Sequence, residues 1–293
     1  MPHTHHASVE SAWVSAGLIL AVLIYLRGWV RVRRLDCGSV GGWRAASFTL
    51  GLLFIWVATA SPLAALDHDM LTAHMVQHLL LMTFAPPLIL MGASLKTFVY
   101  RLPPRFLRVV GQVFQSTALH QLWSALTHPA ICWLGAASTL IAWHIPVMFE
   151  LGLRSQMWHG IEQASFLATG LLFWWPVVQP LPSCLKWPES SMLLYLFLAT
   201  LPCDILSGFL VFCDRVVYQV FLSSPQSFGL SALEDQQCAG ALMWTCVTIV
   251  YLIAGAVFAT RLLSPRRSED RSILQFESQP SAMRTNPQRM EAV

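Results

Sequence analysis

The chain has 293 residues, a mean hydropathy of +0.56, 55% hydrophobic and only 11% charged residues, and a formal net charge of +3. An ordinary soluble domain carries about a quarter charged residues, so a water-soluble globule, a disordered chain, a nucleic-acid binder and a disulfide-rich secreted module are all excluded. Twelve Trp and sixteen Phe beside so few charges suit a chain whose solvent is largely lipid.

A helix needs about 20 predominantly apolar residues to cross the hydrocarbon core. Seven stretches qualify, at 12–30, 45–66, 70–95, 129–148, 157–178, 191–212 and 238–263. Lipid cannot satisfy free backbone groups, and these runs are too long for barrel strands, so the expected fold is all-α, a polytopic bundle over 12–263. Residues 1–11 lack the basic start of a signal peptide and read as an outer tail carrying His3, His5 and His6. With the N-terminus outside, every Lys and Arg except Arg154 and Arg215 falls inside, as the positive-inside rule requires, and the C-terminus is inside too. The connection from Lys96 to His128 mixes Arg with Phe, Leu and Val, notably at Arg105–Val113, and suggests a helix lying in the inner interface. Residues 213–237 form an outer loop, and the Ser-, Pro-, Arg- and Glu-rich stretch 264–293 reads as a disordered cytoplasmic tail.

The ten histidines are unevenly placed. His74 and His78 fall one and two turns into the third span, His144 near the outer end of the fourth, and His159 near the outer start of the fifth; four imidazoles from three helices thus share a depth. His74, His78 and Met82 are spaced by fours and line one helix face. Glu162 and Gln163 continue the His159 face, and the seventh span opens with Glu234 and Asp235 and reaches Met243 two turns later. Polar groups are costly facing lipid, so these should face one another or a hydrated cavity. Imidazole with thioether favours copper over magnesium, calcium or manganese, and zinc gains little from Met. Asp67, Asp69, Glu150, Asp214, Glu234 and Asp235 near that surface would draw cations in. Against this, a lone membrane histidine commonly serves helix–helix hydrogen bonding, and Met82 and Met243 taken singly suit core packing. None of the seven cysteines forms a C-x-x-C pair. Cys213 and Cys238 bracket the outer loop, where a disulfide and two unpaired thiols are both open. Asp204 within the sixth span could relay protons or pair with a histidine.

The run Ala73-His74-Met75-Val76-Gln77-His78-Leu79-Leu80-Leu81-Met82 with Ala85-Pro86-Pro87-Leu88, then Trp143-His144-Ile145-Pro146, His159 with Glu162, and Asp235-Gln236-Gln237 through Gly240, Met243 and Trp244, resembles the CtaG-type cytochrome c oxidase assembly factors. The matches come in family order and span nearly the whole membrane region. The resemblance implies a multi-pass protein of the bacterial inner membrane that handles copper for haem–copper oxidase, with His74, His78, His144, His159, Asp235 and Met243 as metal-site residues. It implies oxidase subunits as partners, a periplasmic copper carrier as a further one, and no enzyme activity. Family members often carry two adjacent histidines at the start of the fifth span, where this chain has Trp158-His159. A haem-binding membrane oxidoreductase and a copper permease are the alternatives. The first lacks paired inner histidines for a second haem, and the second lacks a polar path past Met82, where Thr83, Phe84, Pro86 and Pro87 follow.

Overall fold

The computed structural model describes residues 3–35, 41–93, 117–179, 187–223 and 229–263. Its regular elements are all helical: α1 (His3–Leu35), α2 (Gly42–Ala60), α3 (Leu71–Leu79), a π turn (Leu80–Phe84), α4 (Ala85–Gly92), α5 (Thr117–Leu126), α6 (Pro129–His144), α7 (Pro146–Arg154), α8 (Gln156–Val178), α9 (Glu189–Phe212) and α10 (Ala232–Leu263), with short 3-10 turns at Pro62–Ala65 and Gln219–Ser223. The stretch expected as an outer tail is largely absorbed into α1, which begins at His3. The expected interfacial helix at Arg105–Val113 and the tail at 264–293 lie outside the described residues.

Among the described residues five helices are long and apolar enough to cross a membrane, or six if the bent pair α6–α7 counts as one span. Two of the seven expected spans therefore differ from simple crossings, each for a local reason. The 129–148 stretch breaks at Ile145, because Pro146 disfavours helical backbone in the residue before it; Ile145 is extended and the axis turns by 77°. The 157–178 stretch does form a helix, α8, but Gln156, His159, Glu162 and Gln163 load its first turns with polar groups, and it is not among the helices apolar enough to count.

The third span is one rod, Leu71–Gly92, with a π turn at its middle. Pro86 and Pro87 have no N–H to give to Met82 and Thr83, and their rings would strike those carbonyls. The ladder widens instead, and the Ala85 N–H bonds back to Leu80 O, five residues away. Close helix packing locks the rod: a Cβ at Gly170 of α8 would meet the Met82 backbone at 2.8–2.9 Å, and one at Gly51 of α2 would meet Ala85 O at 3.1 Å. α9 and α10 run antiparallel, Gly240 against Ser207 and Leu210 at one end and Gly255 toward Leu193 at the other. The core between them and α8 is aromatic, Phe173 stacking on Tyr195 and Tyr251 with centroids 5.0 and 5.4 Å apart. α1 lies on α2 through the Tyr25–Phe48 stack, and Tyr25 Oη donates to Gly92 O at the end of α4.

Candidate metal centre

α3 begins with the Asp235 carboxylate of α10 as its cap. Oδ2 accepts from Leu71 N at 2.6 Å, and Oδ1 accepts from Thr72 N at 3.1 Å and Thr72 Oγ1 at 2.6 Å. A cap is ordinarily supplied by the preceding residue, but here Met70 cannot serve and a carboxylate 163–164 positions away does so. This fixes the rotation of α3 and hence the direction of His74 and His78. The neighbouring Gln236 accepts from Val217 N and donates to Leu210 O and Arg215 O, pinning the loop after α9. That loop carries Tyr218, whose hydroxyl donates to His144 O at 3.1 Å.

Beneath this clasp the charged and imidazole side chains converge. His74 and His78 stack edge-on with centroids 4.3 Å apart, each on an aromatic ring, Phe149 at 4.8 Å and Phe166 at 4.1 Å. Glu162 Oε1 lies 3.5 Å from His74 Nε2 and 3.4 Å from His78 Nε2, and Glu162 Oε2 lies 3.4 Å from His159 Nδ1. His74 and Glu162 are 0% exposed. Both Glu162 oxygens, both ring nitrogens of His74 and of His78, and His159 Nδ1 are buried without a hydrogen bond. Leaving so many buried polar atoms unpaired would be costly unless something joins them. Their separations exceed those of good hydrogen bonds. They match instead the edge of a coordination tetrahedron, since ligands held about 2.0–2.1 Å from one ion stand about 3.3 Å apart. His74, His78 and Glu162 offer donor atoms close enough together to hold a cation, with His159 against the other Glu162 oxygen.

Asp67 holds the third imidazole, that of His159, from behind. Its Oδ2 lies 3.1 Å from His159 Nε2, which also lies 2.8 Å from the Gln163 side-chain nitrogen, so the ring is held between Asp67 and Gln163 on one side and Glu162 on the other. Burial alone would raise the Asp67 carboxyl, but the His159 hydrogen bond and the charges of His68, His159 and His74 outweigh it and hold the carboxyl below the usual range. Asp67, His74 and His159, and separately His74, His78 and Glu162, form clusters with donor atoms all within 4.8 Å.

Of the six residues singled out from sequence, His74, His78 and His159 meet here. His144 sits beside them, its ring 6.1 Å from that of His78, but faces a neighbouring cavity that Met243 also lines. Asp235 is engaged as the α3 cap. Glu162 supplies the carboxylate; its place on the His159 face was visible, its central role was not. Asp67 was visible only as one of several outer acids; its contact with His159 was not legible, the two being 92 positions apart. Asp204 keeps Oδ1 buried without a hydrogen bond on α9. Cys213 and Cys238 are both free thiols, so no disulfide closes the loop between them.

The motifs around this cluster extend through the whole matched region: residues 23–264 match the model of the cytochrome c oxidase caa3 assembly factors, Caa3_CtaG. The chain belongs to that family. Among curated proteins it is 25% identical to uncharacterized proteins of Mycobacterium bovis and Mycobacterium tuberculosis, covering 84% of this chain and 38% of theirs. An uncharacterized protein of Mycobacterium leprae is also 25% identical, over 82% of this chain and 37% of its own length. This chain thus spans less than two fifths of the curated relatives it matches. No solved structure matches it.

Proposed function

We propose that this assembly factor binds a copper ion between α3 and α8 and delivers it to a metal centre of cytochrome c oxidase. The observation that carries the reading is the Glu162 carboxylate, buried with the unpaired nitrogens of His74, His78 and His159 at ligand–ligand spacing around it. Such a nitrogen–oxygen site ranks copper above the other divalent first-row ions, and its imidazoles exchange more readily than a closed thiolate cage would. The family supplies the destination, since its oxidases need copper. A haem is disfavoured because Phe149 and Phe166 lie directly on the two α3 imidazoles.

In this reading the bundle crosses the bacterial plasma membrane seven times, with α6–α7 as a broken span and α8 as the seventh, shielded from lipid on its polar face by α3 and α7. The N-terminus is outside, following the Lys and Arg distribution, and the cluster opens to the periplasmic side, where a soluble copper carrier would load it. An oxidase subunit docked alongside would receive the ion. The test is metal content of the purified protein together with oxidase activity of the membranes. The wild type should carry about one copper per chain, and His74→Ala with His78→Ala should lose it along with most oxidase activity. Unchanged copper and unchanged oxidase in that variant would end the reading.

A further inference from the structure

A second donor set lies one turn deeper. His144 Nδ1 is 2.7 Å from Leu140 O, and a carbonyl only accepts, so that nitrogen carries the proton. His144 Nε2 therefore presents a lone pair, yet it is buried without a hydrogen bond on a residue 6% exposed. The residue lines an apolar cavity of about 40 Å³, to which Met82 and Met243 also contribute, and His78 forms part of the wall facing the Glu162 cluster. A cavity of that size has room for an ion or very few waters. Cys203 reaches the same space, but its thiol lies 3.7 Å from Ser207 Oγ on its own helix.

We propose that this cavity is a second metal site, which takes a soft monovalent ion, Cu(I) or its analogue Ag(I), through His144 Nε2 and the thioethers of Met82 and Met243. The proposal deepens the metal-handling reading above and rests on it for its purpose. The two neighbouring sites differ in charge. Glu162 and Asp67 surround the first, so a divalent ion there is largely compensated. No carboxylate lines the second among the described residues, so a divalent ion would carry its charge uncompensated into an apolar space, at large desolvation cost. Neutral imidazole and thioether donors suit a monovalent soft ion. The π turn forced by Pro86 and Pro87 falls at Met82, the position that brings a thioether to this wall.

The experiment uses the purified full-length protein in detergent, titrated separately with silver(I) and zinc(II), with X-ray absorption to read the silver neighbours. Silver bound to the wild type should show sulfur ligation. Met82→Leu with Met243→Leu, near-isosteric changes that keep the packing, should remove that sulfur signal and weaken silver binding at least tenfold, while zinc affinity stays within about twofold. His74→Ala with Glu162→Gln should do the converse, losing zinc and keeping silver. Wild-type silver without sulfur neighbours overturns the proposal and needs no variant; so does silver affinity untouched in the double Met variant. Zinc retained in the His74/Glu162 variant counts against the first site instead, so the two readings fail separately.

Discussion

Gly152 and Glu162 touch across the α7–α8 corner: a Cβ built on Gly152 would lie 2.8 Å from Glu162 Oε2 and 3.4 Å from its Cδ. A side chain at 152 cannot coexist with the carboxylate in its present place. Position 152 is inside a helix that would otherwise favour alanine by up to about 1 kcal/mol. Gly152→Ala should therefore leave the unfolding midpoint nearly unchanged, because a carboxylate tip can rotate away. It should weaken metal binding by about 10–100-fold, the range seen when the groups that orient ligands are disturbed. Calorimetric titration beside a thermal scan checks both; equal loss of stability and affinity would point to a general packing defect.

Asp67 contacts His159 and also stands in a donor cluster with His74 and His159, and Asp67→Asn separates orienting from ligation. Asparagine keeps an oxygen acceptor for His159 Nε2 but removes the charge. Metal should still bind, about tenfold more weakly. The carboxyl is held below its ordinary range in the folded protein, so its contribution to stability is present above the unfolded value, about pH 4, and disappears as the pH falls through the lower folded value. Wild-type protein should lose stability below about pH 4 more steeply than the Asn variant. Coincident acid-unfolding curves would count against the His159 contact.

How far the sequence reveals this site depends on the range of each interaction. The fours spacing of His74 and His78 is local geometry, and the rings do stack on one helix face. His144 and His159 could be brought to the same depth by hydropathy alone. Contacts set by backbone bends could not be read: Pro146 marks a break, but not a turn of 77° that lays Phe149 on His74 and Gly152 on Glu162. The same limit hides the π turn, since Pro86-Pro87 signals a lost hydrogen bond without saying how the ladder closes. The string shows Asp235 as an acid at the start of the seventh span, but not that α3 starts at its carboxylate.

Asp235 caps α3 and is also an acid close to the proposed metal site, which gives a decisive substitution pair. Asp235→Asn keeps one acceptor oxygen for the α3 N-terminus, and asparagine is itself a good cap. It should cost less than Asp235→Ala, for which about 1–2 kcal/mol is expected from a lost cap. Metal stoichiometry should be unchanged in both. A drop in stoichiometry for Asn without a stability loss would make Asp235 a ligand after all.

The glycines of α6 and α8 offer the last contrast, because the site depends on the π turn staying where Gly170 admits it. A Cβ at Gly170 would press on Met82 O, Met82 Cα and Pro86 Cγ at 2.8–2.9 Å, and backbone cannot swing aside as a side chain can. A Cβ at Gly135 meets nothing within 4 Å. Gly170→Ala should therefore destabilise by about 1–3 kcal/mol, the cost of overpacking a filled interior. It should also displace Met82 and His78 together. Gly135→Ala should be neutral or slightly stabilising, since alanine is the better helix former. Detergent-solubilised thermal midpoints separate the two. Silver and zinc titrations on the Gly170 variant at a temperature where it remains folded should show both affinities reduced, because the π turn underlies the wall between the two proposed sites.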